Sequence, residues 1–174
     1  MRKALYFLGI LNDSDIDWLV AAGSRREIAA GTDLIEEGRP INSVYLVIDG
    51  SFAVHSAAHG GREVERLMPG EVMGEMLFVD HAPPTETVRA LEPSFILDVP
   101  RRRLKTKLTE DPGFAARFYR AIARFQTARQ RAADAALAGD AADGAEAEMD
   151  FDALDNVSVA GARFDWIQKR LRSE

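Results

Sequence analysis

From Arg26 to Val99 the chain is a succession of short β-rich runs broken by glycine, and this pattern limits the fold more than any other feature. Residues 27–35 read as strand, turn and strand about Gly31, and Glu36-Glu37-Gly38-Arg39-Pro40 as a turn. Ser43 to Ile48 is β-rich, and Asp49-Gly50 after it is a strong hairpin signal. Ser51 to His55 returns, His59-Gly60-Gly61 turns again, and Glu63 to Leu67 alternates as a half-exposed strand. Ser94 to Val99 is the last clear strand. Strands at this spacing predict an antiparallel barrel or jelly roll. With helices before and after the strands, the fold class expected is α+β.

Residues 3–28 read as helical, with Asn12 or Asp13 as a cap before Ile16, Trp18, Leu19 and Val20. Met1-Arg2-Lys3 and the apolar run from Ala4 to Leu11 imitate the start of a signal peptide. The run is short and Asp13, Asp15 and Asp17 follow at once, so no secretory signal is expected. No run reaches the roughly 18 apolar residues of a membrane span. The expected setting is the cytoplasm, with no membrane partner. The chain has no cysteine, which excludes disulfides and thiolate chemistry. A net charge of −6 argues against nucleic acid as a partner. The basic run Arg101-Arg102-Arg103-Leu104-Lys105 reads as the exposed start of a short helix.

The segment Leu67 to Ala90 has a different character. Gly70 and Gly74 follow an apolar run, and Glu75 comes straight after the second glycine. A short apolar turn from Met76 to Val79 leads to a proline-bearing loop, His81 to Glu86, and then to the strand-like Thr87-Val88-Arg89-Ala90. Glycine lets backbone approach a ligand closely, and amides at the start of a short helix attract anions. Such a segment suits a phosphate.

This segment resembles the phosphate-binding cassette of the cyclic nucleotide-binding domain, the family of the catabolite activators and of the regulatory subunits of the cAMP-dependent kinase. Gly74-Glu75 matches the first half of its motif, and Thr87, Val88 and Ala90 match its tail. Gly31, Ile35, Glu37-Gly38 and the run from Tyr45 to Gly50 stand in the family's order with its spacing, and the resemblance covers roughly residues 5–138. It implies a jelly-roll barrel in which Glu75 takes a ribose hydroxyl, with Gly74, Met76, Thr85 and Thr87 nearby. It also implies an arginine on the cyclic phosphate, but Pro84 stands at that position, followed by Thr85 and Glu86. Removing one partner of a buried charged pair costs about 3–5 kcal/mol, and Glu86 adds a like charge. The cassette is thus read as degenerate: no cofactor is required, and tight binding of cAMP or cGMP is not expected. The alternative is a working sensor in which Arg89 or Arg129 replaces the lost cation. Strand alternation puts Arg89 on the side of Thr87, opposite Glu86 and Val88.

Asp111-Pro112 opens a long helix. Its apolar residues Phe114, Phe118, Ala121, Phe125, Ala128, Ala132 and Ala135 follow a heptad repeat. This reads as a dimerisation helix with Phe118, Ala121, Phe125, Ala128 and Ala132 in the seam; the alternative is a helix packed on its own barrel. The resemblance implies that the same helix closes over the nucleotide base, with Arg129 and Gln130 near it.

The domain division expected is 1–138 for the binding-type domain (barrel about 26–99, long helix about 113–138), 139–150 for an acidic flexible linker and 151–174 for a C-terminal amphipathic helix. Ala138 to Glu148 is rich in Ala, Gly, Asp and Glu. Asn156 reads as the cap of a helix from Val157 to Arg172, with Phe164 and Leu171 on one side and Trp166 off it. This helix suits docking either on its own barrel or in a groove of a partner protein. The 36 residues after Ala138 are too few for a winged-helix domain, so no DNA-binding domain is expected. A metal-dependent cupin, also a jelly roll, would need a His-x-His pair followed by Glu. His55, His59 and His81 do not form that pattern, and no enzyme and no metal are expected. The reading is a regulatory module acting as a homodimer or through a protein partner.

Overall fold

The computed structural model describes residues 7–137 and 151–172, except the side chains of 132, 133, 135–137 and 151–156. Residues 7–10 are helical. Asn12 then caps α1 (Asp13–Ala22): its side chain accepts from the Asp15 amide, and the Asp15 carboxylate accepts from the Asn12 amide, both at 2.9 Å. This reciprocal box satisfies two amides that a helix start leaves without partners.

Eight strands follow: β1 (Ser24–Ile28), β2 (Asp33–Ile35), β3 (Ser43–Asp49), β4 (Phe52–Ser56), β5 (Arg62–Leu67), β6 (Val72–Met73), β7 (Thr87–Ala90) and β8 (Ser94–Pro100). They form two antiparallel sheets, β1-β8-β3-β6 and β2-β7-β4-β5. Helices α2 (Arg101–Glu110), α3 (Pro112–Leu137) and α4 (Phe151–Arg172) complete the chain. The α+β jelly roll, with helices on either side of it in the sequence, is therefore the observed architecture.

Three local expectations change. The helical reading of residues 3–28 runs too far, because Ser24–Ile28 pairs with β8 as an edge strand. Its first four residues are exposed and only Ile28 faces the interior, so the segment lacks the stripe that holds a helix to a core. Asp49-Gly50 does not join a hairpin, since β3 and β4 lie in different sheets. Gly50, at φ 87°, carries the chain across, and a Cβ there would stand 2.6 Å from the Cβ of Ser94 and 2.8 Å from its Cα. The C-terminal helix begins at Phe151, so Asn156 lies within it rather than before it. The turn through Gly60-Gly61 does join paired strands, β4 and β5. The expected linker, residues 139–150, lies outside the described residues.

β3 explains how the barrel is held. Tyr45 and Val47 point into the space between the sheets, with Phe52, Val54 and Ile96. Val44, Leu46 and Ile48 point the other way, into a cluster with Leu8, Leu97 and the helices. A strand buried on both faces reads as a continuous apolar run, which is the character of Val44 to Ile48.

That second cluster decides the packing of α3. Phe114, Phe118 and Ala121 are fully buried and Phe125 nearly so. Phe118 meets Phe7 and Phe78 edge-on, at ring separations of 5.5 and 5.7 Å. Phe118, Ala121 and Phe125 therefore pack in their own domain and are not free to form the expected dimer seam, because the single chain already needs them to cover its core. Ala128 is half-buried, and the Ala132 side chain is outside the described set. The exposed side of α3 carries Tyr119, Arg120, Ala123, Thr127 and Gln130 instead.

α4 docks on its own domain. Ala160, Ile167 and Leu171 are buried in the same cluster. Arg163 donates to the carbonyls of Leu8 and Leu11 at 2.8 and 2.6 Å, and its Nε donates to Asp13 at 2.7 Å. Gln168 donates to the Ile48 carbonyl at 2.8 Å. The apolar side that a partner groove would take is thus occupied within the chain, while Trp166 remains exposed. A partly buried ion pair ties α3 to α1: Arg117 holds the buried Asp15 with two hydrogen bonds of 2.6 and 2.8 Å.

Candidate ligand pocket

The cassette is built as a tight return from β5 to β7. The Gly70 amide donates to the Val47 carbonyl and the Val47 amide to the Glu71 carbonyl, which fastens the turn to β3. The Glu71 carboxylate accepts from the Met68 amide at 2.7 Å and so braces the turn. After β6, Gly74 adopts φ 82°, and a Cβ there would lie 2.9 Å from the Ser43 carbonyl oxygen. Only glycine meets both conditions without strain. A short 3-10 turn, Glu75–Phe78, follows, and it buries Glu75 and Leu77. Farther on, the Pro84 carbonyl accepts from the Gly38 amide at 2.8 Å, which pins the proline loop to the β2–β3 turn.

These segments and α3 enclose a cavity of about 320 Å³. Its apolar wall includes Val54, Leu67, Met73, Leu77, Val88 and Phe125. Its charged lining residues are Glu65, Glu75, Asp80 and Glu86 against Arg101 and Arg129. With every carboxylate ionised this set carries a formal charge of −2, four negative and two positive.

Glu75 is only 4% exposed. Burial pushes its carboxyl up to about 7, against the lowering effects of its own backbone amide, Arg129 and Gln126. Gln126 Nε2 donates to Glu75 Oε1 at 3.1 Å and lies 3.0 Å from the Met76 sulfur. Arg129 pairs with Glu65 at 2.9 Å and stands 3.8 Å from Glu86.

The structure separates the expected site residues into those that line the cavity and those that do not. Gly74, Glu75, Met76, Thr85 and Arg129 do line the cavity, and so do Pro84 and Glu86. Thr87, Arg89 and Gln130 do not line it. The Thr87 hydroxyl accepts from the Glu37 amide at 3.1 Å. Arg89 forks onto Asp33 with bonds of 2.6 and 2.8 Å on the exposed side of β7. Val88, between them, is the residue that turns inward, and Arg89 points away from the cavity. Gln130 is exposed, one turn beyond the residue of α3 that reaches the cassette. Gln126, one turn earlier, reaches the cassette in its place. Its place three residues before Arg129 was the available signal, since residues three apart share a helix face. Glu65 was also missed; it precedes Leu67 by two in an alternating strand, and therefore shares its inward side.

The model of the cyclic nucleotide-binding domain matches residues 25–111, half of the chain, a span that takes in both sheets and the whole cassette. The chain belongs to the cyclic nucleotide-binding domain family. Members of this family bind cyclic nucleotides such as cAMP or cGMP. The N-terminal domain of a transcriptional regulator from Streptomyces coelicolor is 31% identical, with 70% of this chain and 86% of that one covered at a TM-score of 0.58. The Thermus thermophilus catabolite activator protein is 25% identical, with 73% of this chain covered and a TM-score of 0.61. This chain spans 59% of that protein's length. A cyclic nucleotide-binding domain from Methylobacillus flagellatus shares the fold at a TM-score of 0.70 and 17% identity, covering 82% of this chain and 85% of that one. A comparison with curated proteins finds no match. Among the described residues no helix is long and apolar enough to cross a membrane. No group of three or more His, Asp or Glu side chains among them could hold a metal ion.

Proposed function

We propose that this member of the family is a regulatory module whose cassette does not hold a cyclic phosphate tightly. The observation that carries this reading is the state of the cations around the pocket. Pro84 stands at the position of the expected arginine, Arg89 is engaged with Asp33 outside, and Arg129 is engaged with Glu65. A cyclic phosphate entering here meets Glu86 and Glu65; of the two arginines of the lining, Arg129 has to be drawn away from its partner, and Arg101 stands just past the end of the barrel segment, at the start of α2. Breaking such a partly buried pair costs several kcal/mol that phosphate binding has to recover. Output then runs through self-association or protein contacts in the cytoplasm, along the exposed side of α3 that carries Tyr119, Arg120, Ala123 and Thr127. The contact of Gln126 with Glu75 gives the pocket a lever on α3, and any occupant that favours one arrangement of that contact shifts the helix.

The test is calorimetric titration of the protein with cAMP, cGMP and cyclic dinucleotides. No heat at millimolar ligand, with the fold verified by circular dichroism, is the expected result. Micromolar binding that disappears in Glu75→Ala would overturn the reading and make Arg129 the candidate phosphate partner. Sedimentation of wild type against Ala123→Glu tests the self-association surface, and a shift toward monomer is expected for the variant.

A further inference from the structure

We propose that the pocket takes a small amphipathic cation, a protonated amine on an apolar body, rather than an anionic nucleotide. This inference rests on the reading that the cassette does not hold a cyclic phosphate.

The pocket has the two parts such a ligand needs. One is an apolar wall, formed by Val54, Leu67, Met73, Leu77, Val88 and Phe125. Its volume of about 320 Å³ lies at the lower end of the range for small-molecule sites. The other part is uncompensated negative charge on one side of that wall. A single guanidinium nitrogen of Arg129 serves both Glu65 and Glu86, and at 3.8 Å the second is beyond hydrogen-bond distance. Glu86 therefore keeps acceptor capacity while it lines the cavity. Glu75 adds a second carboxyl to the same lining, where the Gln126 side-chain amide donates to it.

Charge decides the sign of the ligand. Glu65, Glu75, Asp80 and Glu86 face Arg101 and Arg129, and His81 is the remaining titratable group of the lining. A carboxylate or phosphate brought into this set adds to the negative excess, whereas an ammonium reduces it. The upward push on the Glu75 carboxyl agrees, because a buried carboxyl without enough positive charge nearby keeps its proton. An ammonium beside it favours the ionised form, so binding expels that proton and strengthens as pH rises.

The probe is benzylamine, with benzyl alcohol and benzoate as neutral and anionic controls of the same body, titrated into the whole chain by calorimetry. Benzylamine is expected to bind roughly tenfold or more tightly than benzyl alcohol, the ratio expected of one charge-assisted hydrogen bond, and benzoate not at all. Glu86→Gln, at a half-exposed position, should weaken benzylamine about tenfold without affecting the fold. Affinity should rise from about pH 6 to about pH 8 with proton release, and Glu75→Gln should flatten that rise, which separates Glu75 from His81. Equal binding of amine and alcohol, preference for benzoate, or no binding of benzylamine by folded protein would each overturn the inference. Failure of benzylamine together with failure of cyclic nucleotides leaves the degenerate-cassette reading standing. Micromolar cAMP binding lost in Glu75→Ala strikes at that reading itself.

Discussion

Gln126 Nε2 lies 3.1 Å from Glu75 Oε1, and this one hydrogen bond joins the long helix to the floor of the pocket. It crosses from an element that packs the core to one that faces the cavity. The Glu75 carboxyl and α3 therefore share this contact.

Removing the donor tests the link. Gln126→Ala should cost about 1 kcal/mol of stability and raise the Glu75 carboxyl still further, since the lost bond favours the ionised form. Carbon-13 NMR of the Glu75 carboxyl as a function of pH reads the second effect, and urea unfolding reads the first.

The burial of Glu75 makes a signed prediction about pH. Above the usual value of 4.5 the unfolded chain releases this proton, while the folded chain keeps it to about 7. Stability from this group is therefore greatest below 4.5, falls through the window between 4.5 and 7, and is level beyond. Glu75→Gln removes the loss. Relative to wild type the variant should gain on the order of 3 kcal/mol between those limits. Denaturant titrations of both proteins at pH 4.5, 6 and 7.5 measure it, and parallel curves would refute the assignment.

Asp15 behaves in the opposite sense. Burial raises its carboxyl, but the Arg117 hydrogen bonds and the Asn12 amide outweigh that and hold it below its ordinary value. Its contribution is present above that ordinary value and is lost as pH falls through the lowered one. Arg117→Ala leaves Asp15 buried with its capping bond alone, and should cost about 3 kcal/mol near neutrality. The cost should shrink in acid, as thermal unfolding at several pH values would show.

Gly74 combines positive φ with no room for a Cβ. Gly74→Ala should cost about 2 kcal/mol or more, because left-handed strain adds to a contact with the Ser43 carbonyl. The shift in urea midpoint measures it.

Arg163 latches α4. Its three hydrogen bonds reach Asp13 and the carbonyls of Leu8 and Leu11. Arg163→Ala should destabilise the helix by about 2 kcal/mol and speed amide exchange in α4 ahead of exchange in the sheets. Uniform acceleration across the barrel would contradict a local latch.

Much of the architecture was legible in the chain. Glycine spacing and alternating runs marked the strands, and Ser43 to Ile48 was legible as β-rich, though not as a strand covered on both faces. Gly74-Glu75 and Pro84 located the cassette and its missing cation. The heptad of α3 was real, but a repeat of apolar side chains does not say what covers it. Phe118 and Ala121 serve the domain's own core beside Val44, Leu46 and Ile48, and Phe125 is buried where it lines the cavity. Asp49-Gly50 likewise marked a sharp turn without saying whether it stays within one sheet.

What the sequence determined alone is what local rules govern: period-2 strands, capped helix starts, glycine at strained turns, and the absence of an arginine at position 84. What only the tertiary structure decided are relations across long separations. Arg89 turned to Asp33 instead of the pocket, Gln126 took the place expected of Gln130, and α4 closed on β3 and the first helical turn. Side-chain direction and helix register follow from packing against distant neighbours, and a linear pattern does not contain those neighbours.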